Sequence, residues 1–394
     1  MTHTHIPLAF LMLAATASAA QRPERGREVG IPFEGTAGPL NAITDVAGVE
    51  VGHRTLVARS GKLIVGKGPV RTGVTAIFPR GRDSDDPVFA GWFTMNGNGE
   101  MTGTTWVEES GFLSGPVMIT NTHSVGVVRD AVIEWVVRRG RMLHDEWSLP
   151  VVAETWDGEL NDINGFHVTK QDAWAAMDSA GGGRVAEGSV GGGTGMICNQ
   201  FKGGIGTASR RLDPQDGGYT VGVLVQCNYG RRRYLRIAGV PVGQEISDLV
   251  PCRAPCAGGR SGRAVVPADV GSIIIVVATD APLVPHQLKR VVRRAGLGVG
   301  RLGGVASNSS GDIFIAFSTA NARASRDSGL AQVSMVSNEQ ITPLFEATVQ
   351  ATEEAIVNAM LAAQTMTGAD DLTVYGLPHD RLRAVLRKYN RLGP

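Results

Sequence analysis

The sequence predicts an α/β fold, a layered sandwich with sheets inside and helices outside. Segments with strand-like alternation and segments with helical spacing are interleaved along the chain. Two apolar segments, 272–278 and 313–317, are nearly continuous, as in strands whose two faces are both buried. Such strands need a covering layer on each side, and 394 residues with 43% hydrophobic content supply enough apolar material for a large core.

Apolar and polar residues alternate in the other predicted strands, whereas the predicted helices have apolar positions three and four apart. The predicted strands are 41–57, 74–78, 117–120, 151–154 and 219–227, and the predicted helices are 127–139, 286–295, 342–363 and 379–389. Segment 247–269 has no periodicity and carries prolines at 251, 255 and 267. It is therefore predicted to be an exposed loop.

The balance of charges limits the classes of partner. The formal net charge is +1, from 38 Lys and Arg residues against 37 Asp and Glu residues. A chain this close to neutrality has no field that would gather phosphate backbones or anionic lipids. We therefore expect neither nucleic acid nor a membrane as a partner.

The first twenty residues predict a secretory signal peptide. An apolar stretch at 6–17 is followed by the small residues 17–20, and it is too short to span a membrane. Cleavage would fall after Ala19 or Ala20, which places the mature protein in the periplasm or outside the cell. The region before the apolar stretch has His3 and His5 but no Lys or Arg. A disordered cytoplasmic extension is therefore the alternative.

Four cysteines lie in the mature chain. After export, Cys252 and Cys256 could close a small disulfide loop, whereas Cys198 and Cys227 lie in apolar runs and are predicted to be buried thiols. One C-x3-C pair without a second pair or a nearby histidine is not typical of zinc sites. The sequence predicts no metal and no cofactor.

The familiar catalytic motifs are absent from the sequence. It has no G-x-S-x-G, no H-E-x-x-H and no glycine cluster ending in G-K-[ST], and the histidines of the mature chain lie singly. A serine at a chain terminus needs no histidine, because its own α-amino group, with a pKa of about 8, can accept the hydroxyl proton. Gly271-Ser272, between the loop and the apolar strand, suits a self-cleavage that would uncover such an amine. Taken alone, Gly-Ser is better explained as a common turn dipeptide at a strand start.

Two polar clusters at the ends of other predicted strands strengthen the catalytic hypothesis. Ser310 and Asp312 precede strand 313–317, where they could orient the Ser272 amine and hydroxyl. Asn228 ends strand 219–227, where its amide could donate to an oxyanion. Hydrogen-bonded turns are the structural alternative for both clusters.

Several long segments resemble one known family. They include GPLNAITDVAGVEVGH, AETWDGELNDINGFHV, EGSVGGGTGM, GVLVQCNYG and GSIIIVVATDAPLVPHQLKR, within a similarity that runs from about Asn41 to Leu372. The chain resembles the L-aminopeptidase/D-esterases and β-peptidyl aminopeptidases typified by DmpA. The resemblance implies a four-layer αββα sandwich of the DmpA/ornithine-acetyltransferase-like type. It also implies self-cleavage, one catalytic domain (21–394) cut into 21–271 and 272–394, and a homo-oligomer of the cleaved αβ heterodimers.

The same resemblance implies roles for particular residues. Ser272 matches the nucleophile, Ser310 and Asp312 match the orienting hydroxyl and carboxylate, and Asn228 matches the oxyanion donor. The family often has glutamate at the position of Asp312.

Two further positions match the substrate-binding part of the family's site. Glu154 matches the carboxylate that receives the substrate ammonium group. Trp156 stands where relatives have a tyrosine, and we expect it to form a pocket wall with an indole N–H that could donate to the oxyanion.

The sequence therefore predicts a serine aminopeptidase that releases N-terminal residues from short peptides, amides or esters, with β-peptides among the candidate substrates. Its substrates would carry a free N-terminal amine. Two alternatives stay open. One is an acyltransferase or endo-amidase on the same scaffold, although Ser272 favours hydrolysis because threonine is the expected nucleophile of acetyltransferase relatives. The other is an uncleaved, non-catalytic protein that binds an amine.

Overall fold

The computed structural model describes residues 24–142, 144–253, 271–325 and 329–393. The strands in these ranges are β1 (Glu50–Ala58), β2 (Val70–Phe78), β3 (Val88–Gly97), β4 (Phe112–Leu113), β5 (Val117–Asn121), β6 (Val151–Thr155), β7 (Ile197–Cys198), β8 (Phe201–Lys202), β9 (Gly204–Arg211), β10 (Thr220–Asn228), β11 (Cys252–Arg253), β12 (Ser272–Thr279), β13 (Gly311–Ser318), β14 (Met366–Thr367) and β15 (Leu372–Val374). The α-helices are α1 (Gly26–Val29), α2 (Thr104–Ser110), α3 (Val125–Arg138), α4 (Lys170–Asp178), α5 (Val242–Glu245), α6 (Pro285–Arg301), α7 (Thr342–Ala362) and α8 (His379–Lys388).

Two sheets form the inner layers. One has four strands in the order β1-β2-β5-β6, and the other has six in the order β4-β3-β13-β12-β10-β9. Strand β12 runs antiparallel to β10 and parallel to β13. Two small sheets, β11-β15-β14 and β7-β8, accompany them.

The central strand β12 shows why its sequence is continuously apolar. Successive side chains of a strand point to opposite faces of the sheet. Ile273 and Ile275 pack into the core on the helical side, with residues of α6 and α7. Ile274 and Val276 pack into the core between the two sheets. Both faces of the strand are therefore dry.

The outer layers are helical. Helices α3 and α4 share a core with the outer face of the four-stranded sheet, and α6, α7 and α8 share one with the outer face of the six-stranded sheet. The order of layers is helices, sheet, sheet, helices, and the predicted αββα sandwich is confirmed. No helix in the described ranges combines the length and the apolar character needed to cross a bilayer.

The predicted strand at 41–57 is wrong in its first half. Strand β1 starts only at Glu50, and residues Ile43–Asp45 form a 3-10 turn. The Asp45 carboxylate accepts hydrogen bonds from the backbone N–H groups of Leu40 (2.9 Å) and Ala42 (3.1 Å). An aspartate that binds nearby backbone in this way competes with strand pairing.

The prediction of buried thiols is also wrong. Cys198 and Cys227 form a disulfide, with their Cα atoms 5.5 Å apart. The two residues are 29 apart in sequence, but β7 packs against the end of β10, which brings the Cα atoms within the range that a disulfide spans. The other predicted pair includes Cys256, which lies outside the described residues. Most of the predicted loop at 247–269 does as well, although Cys252 and Arg253 form strand β11.

We predict that Glu354 in α7 is a main anchor of the outer helical layer. Its carboxylate is fully buried and lies 2.7 Å from the Arg210 guanidinium, which is 1% exposed. Replacing it by alanine removes the ion-pair partner of a buried cation, so Glu354→Ala should lower the free energy of unfolding by about 3–5 kcal/mol in chemical denaturation.

Glu353→Ala is the matched control for this measurement. Glu353 pairs at 3.0 Å with Arg301, whose side chain is 42% exposed. A loss of less than about 1 kcal/mol is expected, because exposed ion pairs contribute little. Equal losses for the two variants would contradict the assigned role of Glu354.

Candidate active site

Ser272 is the first residue of β12, in the middle of the six-stranded sheet. Its register partner in β10 is Asn228, and its register partner in β13 is Gly311. Neighbouring strands lie about 4.8 Å apart, so pairing alone places both neighbours beside the serine. The sequence-predicted nucleophile and oxyanion donor are thus direct cross-strand neighbours.

The Ser272 hydroxyl and the bond before it share one backbone donor. The Gly311 N–H lies 3.2 Å from Ser272 Oγ and 3.3 Å from the carbonyl oxygen of Gly271. Ser272 itself is only 6% exposed. The hydroxyl and the carbonyl that it would attack therefore lie together at a buried strand end.

Gly271 occupies a place that no side chain can enter. A Cβ atom at this position would lie 2.5 Å from the Asn228 carbonyl oxygen and 2.8 Å from Tyr229 Cα. Both atoms belong to the backbone of a paired strand end and cannot move aside at little cost. Glycine is required here by space.

Ser310 and Asp312 lie on either side of Gly311. The Ser310 hydroxyl donates to Asp312 Oδ1 at 2.6 Å, and both residues are buried. Alternate residues of an extended chain point to the same side, which explains the contact. Immediately after Asp312 the register with β3 shifts at a bulge, a feature that often re-aims side chains next to active sites.

The side-chain amide of Asn228 is held at both ends. Its Oδ1 accepts from the Ile197 N–H at 2.7 Å, and its Nδ2 donates to the Trp156 carbonyl at 2.8 Å. A primary amide has two N–H groups, so this arrangement leaves one of them for another acceptor. Asn228 is thus oriented before any substrate arrives.

Glu154 comes from the other sheet, near the end of β6. Its Oε1 accepts from the Glu100 N–H at 3.0 Å, and its Oε2 accepts from the Thr122 hydroxyl. Burial raises the pKa of the Glu154 carboxyl, and the nearby Glu100 carboxylate adds to this, while the two hydrogen bonds oppose it. A buried carboxylate whose described hydrogen bonds come from neutral donors is suited to receive a cation.

One cavity of about 470 Å³ joins these groups. It is lined by Asn98, Gly99, Glu100, Thr122, Glu154, Trp156, Gly271, Ser272 and Ser309. Asn228, Ser310 and Asp312 do not line it but border Ser272 from the sheet. Trp156 forms part of its wall, and its ring lies so close to Gly158 that a Cβ there would be 2.6 Å from Cζ2. The indole role as an oxyanion donor stays a prediction.

Sequence reasoning missed several contributors. Thr122 and Glu100 hold Glu154, and the backbone N–H groups of Gly311 and Ile197 hold Ser272 and Asn228. Thr122 lies in a polar segment, TNTHSVG, that directly follows a strand, and this position was its only signal. Backbone donors have no signature in a sequence. Within the described ranges, no group of three or more His, Cys, Asp or Glu residues could hold a metal ion.

The chain is similar to proteins of known family over nearly its whole length. The model of peptidase family S58 matches residues 41–374. Two relatives are called β-peptidyl aminopeptidase BapA. The one from Sphingosinicella microcystinivorans is 56% identical over 97% of this chain and 96% of that protein. The one from Sphingosinicella xenopeptidilytica is 49% identical over 96% of this chain and 95% of that protein.

A solved structure is similar over the same extent. It is the L-aminopeptidase D-Ala-esterase/amidase of Ochrobactrum anthropi, described as a prototype for the serine aminopeptidases and as a variant of the Ntn hydrolase fold. It superimposes with a TM-score of 0.85 at 49% identity and covers 94% of this chain and 99% of that one. The chain therefore belongs to peptidase family S58 and is a hydrolase, an aminopeptidase on the N-terminal-nucleophile hydrolase fold.

Proposed function

We propose that the chain cuts its own Gly271–Ser272 bond and then works as a serine aminopeptidase on peptides and amides that begin with a β-amino residue. The observation that carries the proposal is the single cavity in which Ser272, Gly271 and Glu154 meet. The names of the two relatives at 56% and 49% identity support the choice of β-amino substrates. A cavity of this size can hold the acyl part of a small substrate together with its free amine.

The self-cleavage follows from the geometry at Gly271. The Ser272 hydroxyl attacks the Gly271 carbonyl carbon, whose oxygen accepts from the Gly311 N–H. The C–N bond then breaks as the nitrogen gains a proton, and the acyl group is held as an ester on Ser272 Oγ. Water hydrolyses this ester, which leaves a Gly271 carboxylate and a Ser272 residue with a free amine and a free hydroxyl.

In the mature enzyme the free amine of Ser272 acts as general base. It accepts the hydroxyl proton while Oγ attacks the substrate carbonyl. The Ser310–Asp312 pair, which flanks the Gly311 partner of Ser272, would orient the amine. The second N–H of Asn228 Nδ2 stabilises the oxyanion, a contribution of roughly 3–4 kcal/mol for a single donor. The leaving amine takes the proton, and water then releases the acyl group.

Glu154 binds the substrate ammonium group. This explains why an enclosed carboxylate accepts its hydrogen bonds from two neutral donors, the Glu100 N–H and the Thr122 hydroxyl. An enzyme that requires a free amine at this point releases one residue at a time. A required amine favours an aminopeptidase over an endo-amidase, and Ser272 in the same cavity favours a catalytic protein over one that only binds an amine.

Export and assembly are further parts of the proposal. The signal-like segment at 1–20 supports a periplasmic or secreted enzyme, but it lies outside the described residues. The family resemblance supports an assembly of cleaved αβ heterodimers. Light scattering of the purified protein would give the number of heterodimers in that assembly.

Ser272→Ala should yield one uncut chain without activity, because both reactions need the hydroxyl. Intact mass and hydrolysis of a β-amino p-nitroanilide would measure the two effects. Ser318→Ala is the matched control. It removes a buried hydroxyl that donates to the Ala281 carbonyl at the opposite end of the Ser272–Gly311 pairing, roughly 20 Å away. This control should be cut and active, and a cut Ser272→Ala protein would refute the mechanism.

The pH dependence should report Glu154. Because burial raises its folded pKa above 4.5, the carboxylate is lost as the pH falls through that raised value. The Ser272 amine, with an ordinary pKa of about 8, must also be unprotonated to act as base, so kcat/KM should first fall as this amine gains a proton. A second, steeper fall should follow as Glu154 gains its proton, at a higher pH than an exposed glutamate would cause. Glu154→Gln should lower kcat/KM by about 10- to 100-fold, the loss of one charge-assisted contact, and should remove this second fall.

A substrate analogue without the amine is the control for Glu154. Its kcat/KM should change little in Glu154→Gln, because it has no ammonium group to bind. Equal losses for the two substrates would show that Glu154 supports the fold of the site instead of binding the amine.

A further inference from the structure

A fully buried ammonium group that the mechanism does not use lies close to the oxyanion site. Lys202 is 0% exposed, on β8 directly opposite Ile197 on β7. Its Nζ donates to the carbonyl oxygens of Met196 (2.7 Å) and Gly203 (2.8 Å). Burial lowers the pKa of Lys202 to about 7, and the Asp157 carboxylate opposes this decrease. An enclosed lysine is costly to the fold and needs an explanation.

The Asn228 amide is held by two segments, and Lys202 binds the backbone of one of them. Ile197, whose N–H donates to Asn228 Oδ1, follows Met196, whose carbonyl accepts from Lys202. Trp156, whose carbonyl accepts from Asn228 Nδ2, is followed by Asp157. Asp157 is also fully buried and accepts from Asn161 Nδ2 at 3.0 Å. Burial raises the pKa of the Asp157 carboxyl to about 7, so the contacts of Lys202 Nζ with the Met196 and Gly203 carbonyls are its geometric link to the amide.

We propose that Lys202 is a positioning residue for the oxyanion site: through its hydrogen bonds to the Met196 and Gly203 carbonyls it fixes the turn at Met196 and Ile197, and so sets the direction of the Asn228 amide. The inference rests on the proposed role of Asn228 as oxyanion donor. Lys202 itself contacts neither substrate nor Ser272. It acts through the Ile197 N–H.

We expect a variant without the Lys202 amine to have a lower kcat and a nearly unchanged KM. Without the ammonium group, the carbonyls of Met196 and Gly203 lose a buried donor, and the turn moves to satisfy them. The Ile197 N–H then leaves its position at Asn228 Oδ1, and the amide can rotate away from the oxyanion. An oxyanion donor acts mainly in the transition state, whereas the substrate amine is bound by Glu154 on another strand, so KM should be nearly unchanged.

A double-mutant cycle of Lys202→Met with Asn228→Ala tests this directly. We would measure kcat and KM per cleaved chain, with intact mass giving the cleaved fraction. Lys202→Met should lower kcat about tenfold, and Asn228→Ala about 100-fold or more. The double variant should match Asn228→Ala within about twofold, because once the amide is absent there is nothing left to position.

Arg210→Met is the matched control. Arg210 is a buried cation, 1% exposed, paired with Glu354 at the other end of the six-stranded sheet. Its loss should lower thermal stability without lowering kcat, and any effect on kcat should multiply with that of Asn228→Ala. Lys202→Gln, which keeps one donor, replaces Lys202→Met if the latter does not fold.

Three outcomes separate the explanations. Multiplicative effects of Lys202→Met and Asn228→Ala, or a KM change as large as the kcat change, would overturn the inference. An Asn228→Ala enzyme with normal kcat would instead remove the proposed oxyanion donor. If the lysine variants stay uncut, their crystal structures decide: an amide that has left the Ile197 N–H supports the inference, and an amide with both wild-type contacts contradicts it.

Discussion

The pairing of β12 with its two neighbours is the constraint on which the whole site depends. Because Ser272 begins the strand, the ladders that fix β12 also fix its first residue between Asn228 and Gly311. No flexible loop has to bring the nucleophile to its partners. The same tight pairing leaves room only for glycine before the serine, since backbone atoms of Asn228 and Tyr229 occupy the space of a side chain. The pairing of β12 thus both fixes the position of Ser272 and requires glycine at the proposed cleavage site.

The two inner sheets contribute different groups to the cavity. Glu154 near the end of β6 belongs to the four-stranded sheet, whereas Ser272 belongs to the six-stranded sheet, and the two line one cavity because the inner faces of the sheets pack together. The distance between Ser272 and the Glu154 carboxylate, where we propose that the substrate amine binds, is therefore set by sheet packing. Close to the cavity, the buried Lys202 donates to two backbone carbonyls, at a cost in desolvation.

The sequence predicts the layered fold and the chemistry better than it predicts the contacts. The apolar run at 272–278 requires a doubly covered strand, and the structure has one. The predicted start of β1 is wrong because Asp45 binds local backbone. The prediction of two thiols is wrong because Cys198 and Cys227 approach each other only in the tertiary structure. Ser310 and Asp312 are two residues apart in the sequence, the spacing that places two side chains on the same side of an extended strand. The grip of Ile197 and Trp156 on Asn228 does not show there, since it uses backbone atoms far apart along the chain.

The proposed mechanism requires that Ser272 is the first residue of its chain in the working enzyme. N-terminal sequencing of the purified, active protein, combined with its intact mass, tests this most directly. The proposed mechanism predicts two chains, the smaller beginning Ser272-Ile273-Ile274 and the larger ending at Gly271. A fully active protein with an intact Gly271–Ser272 bond would contradict it, because Ser272 would then have no amine to act as its base.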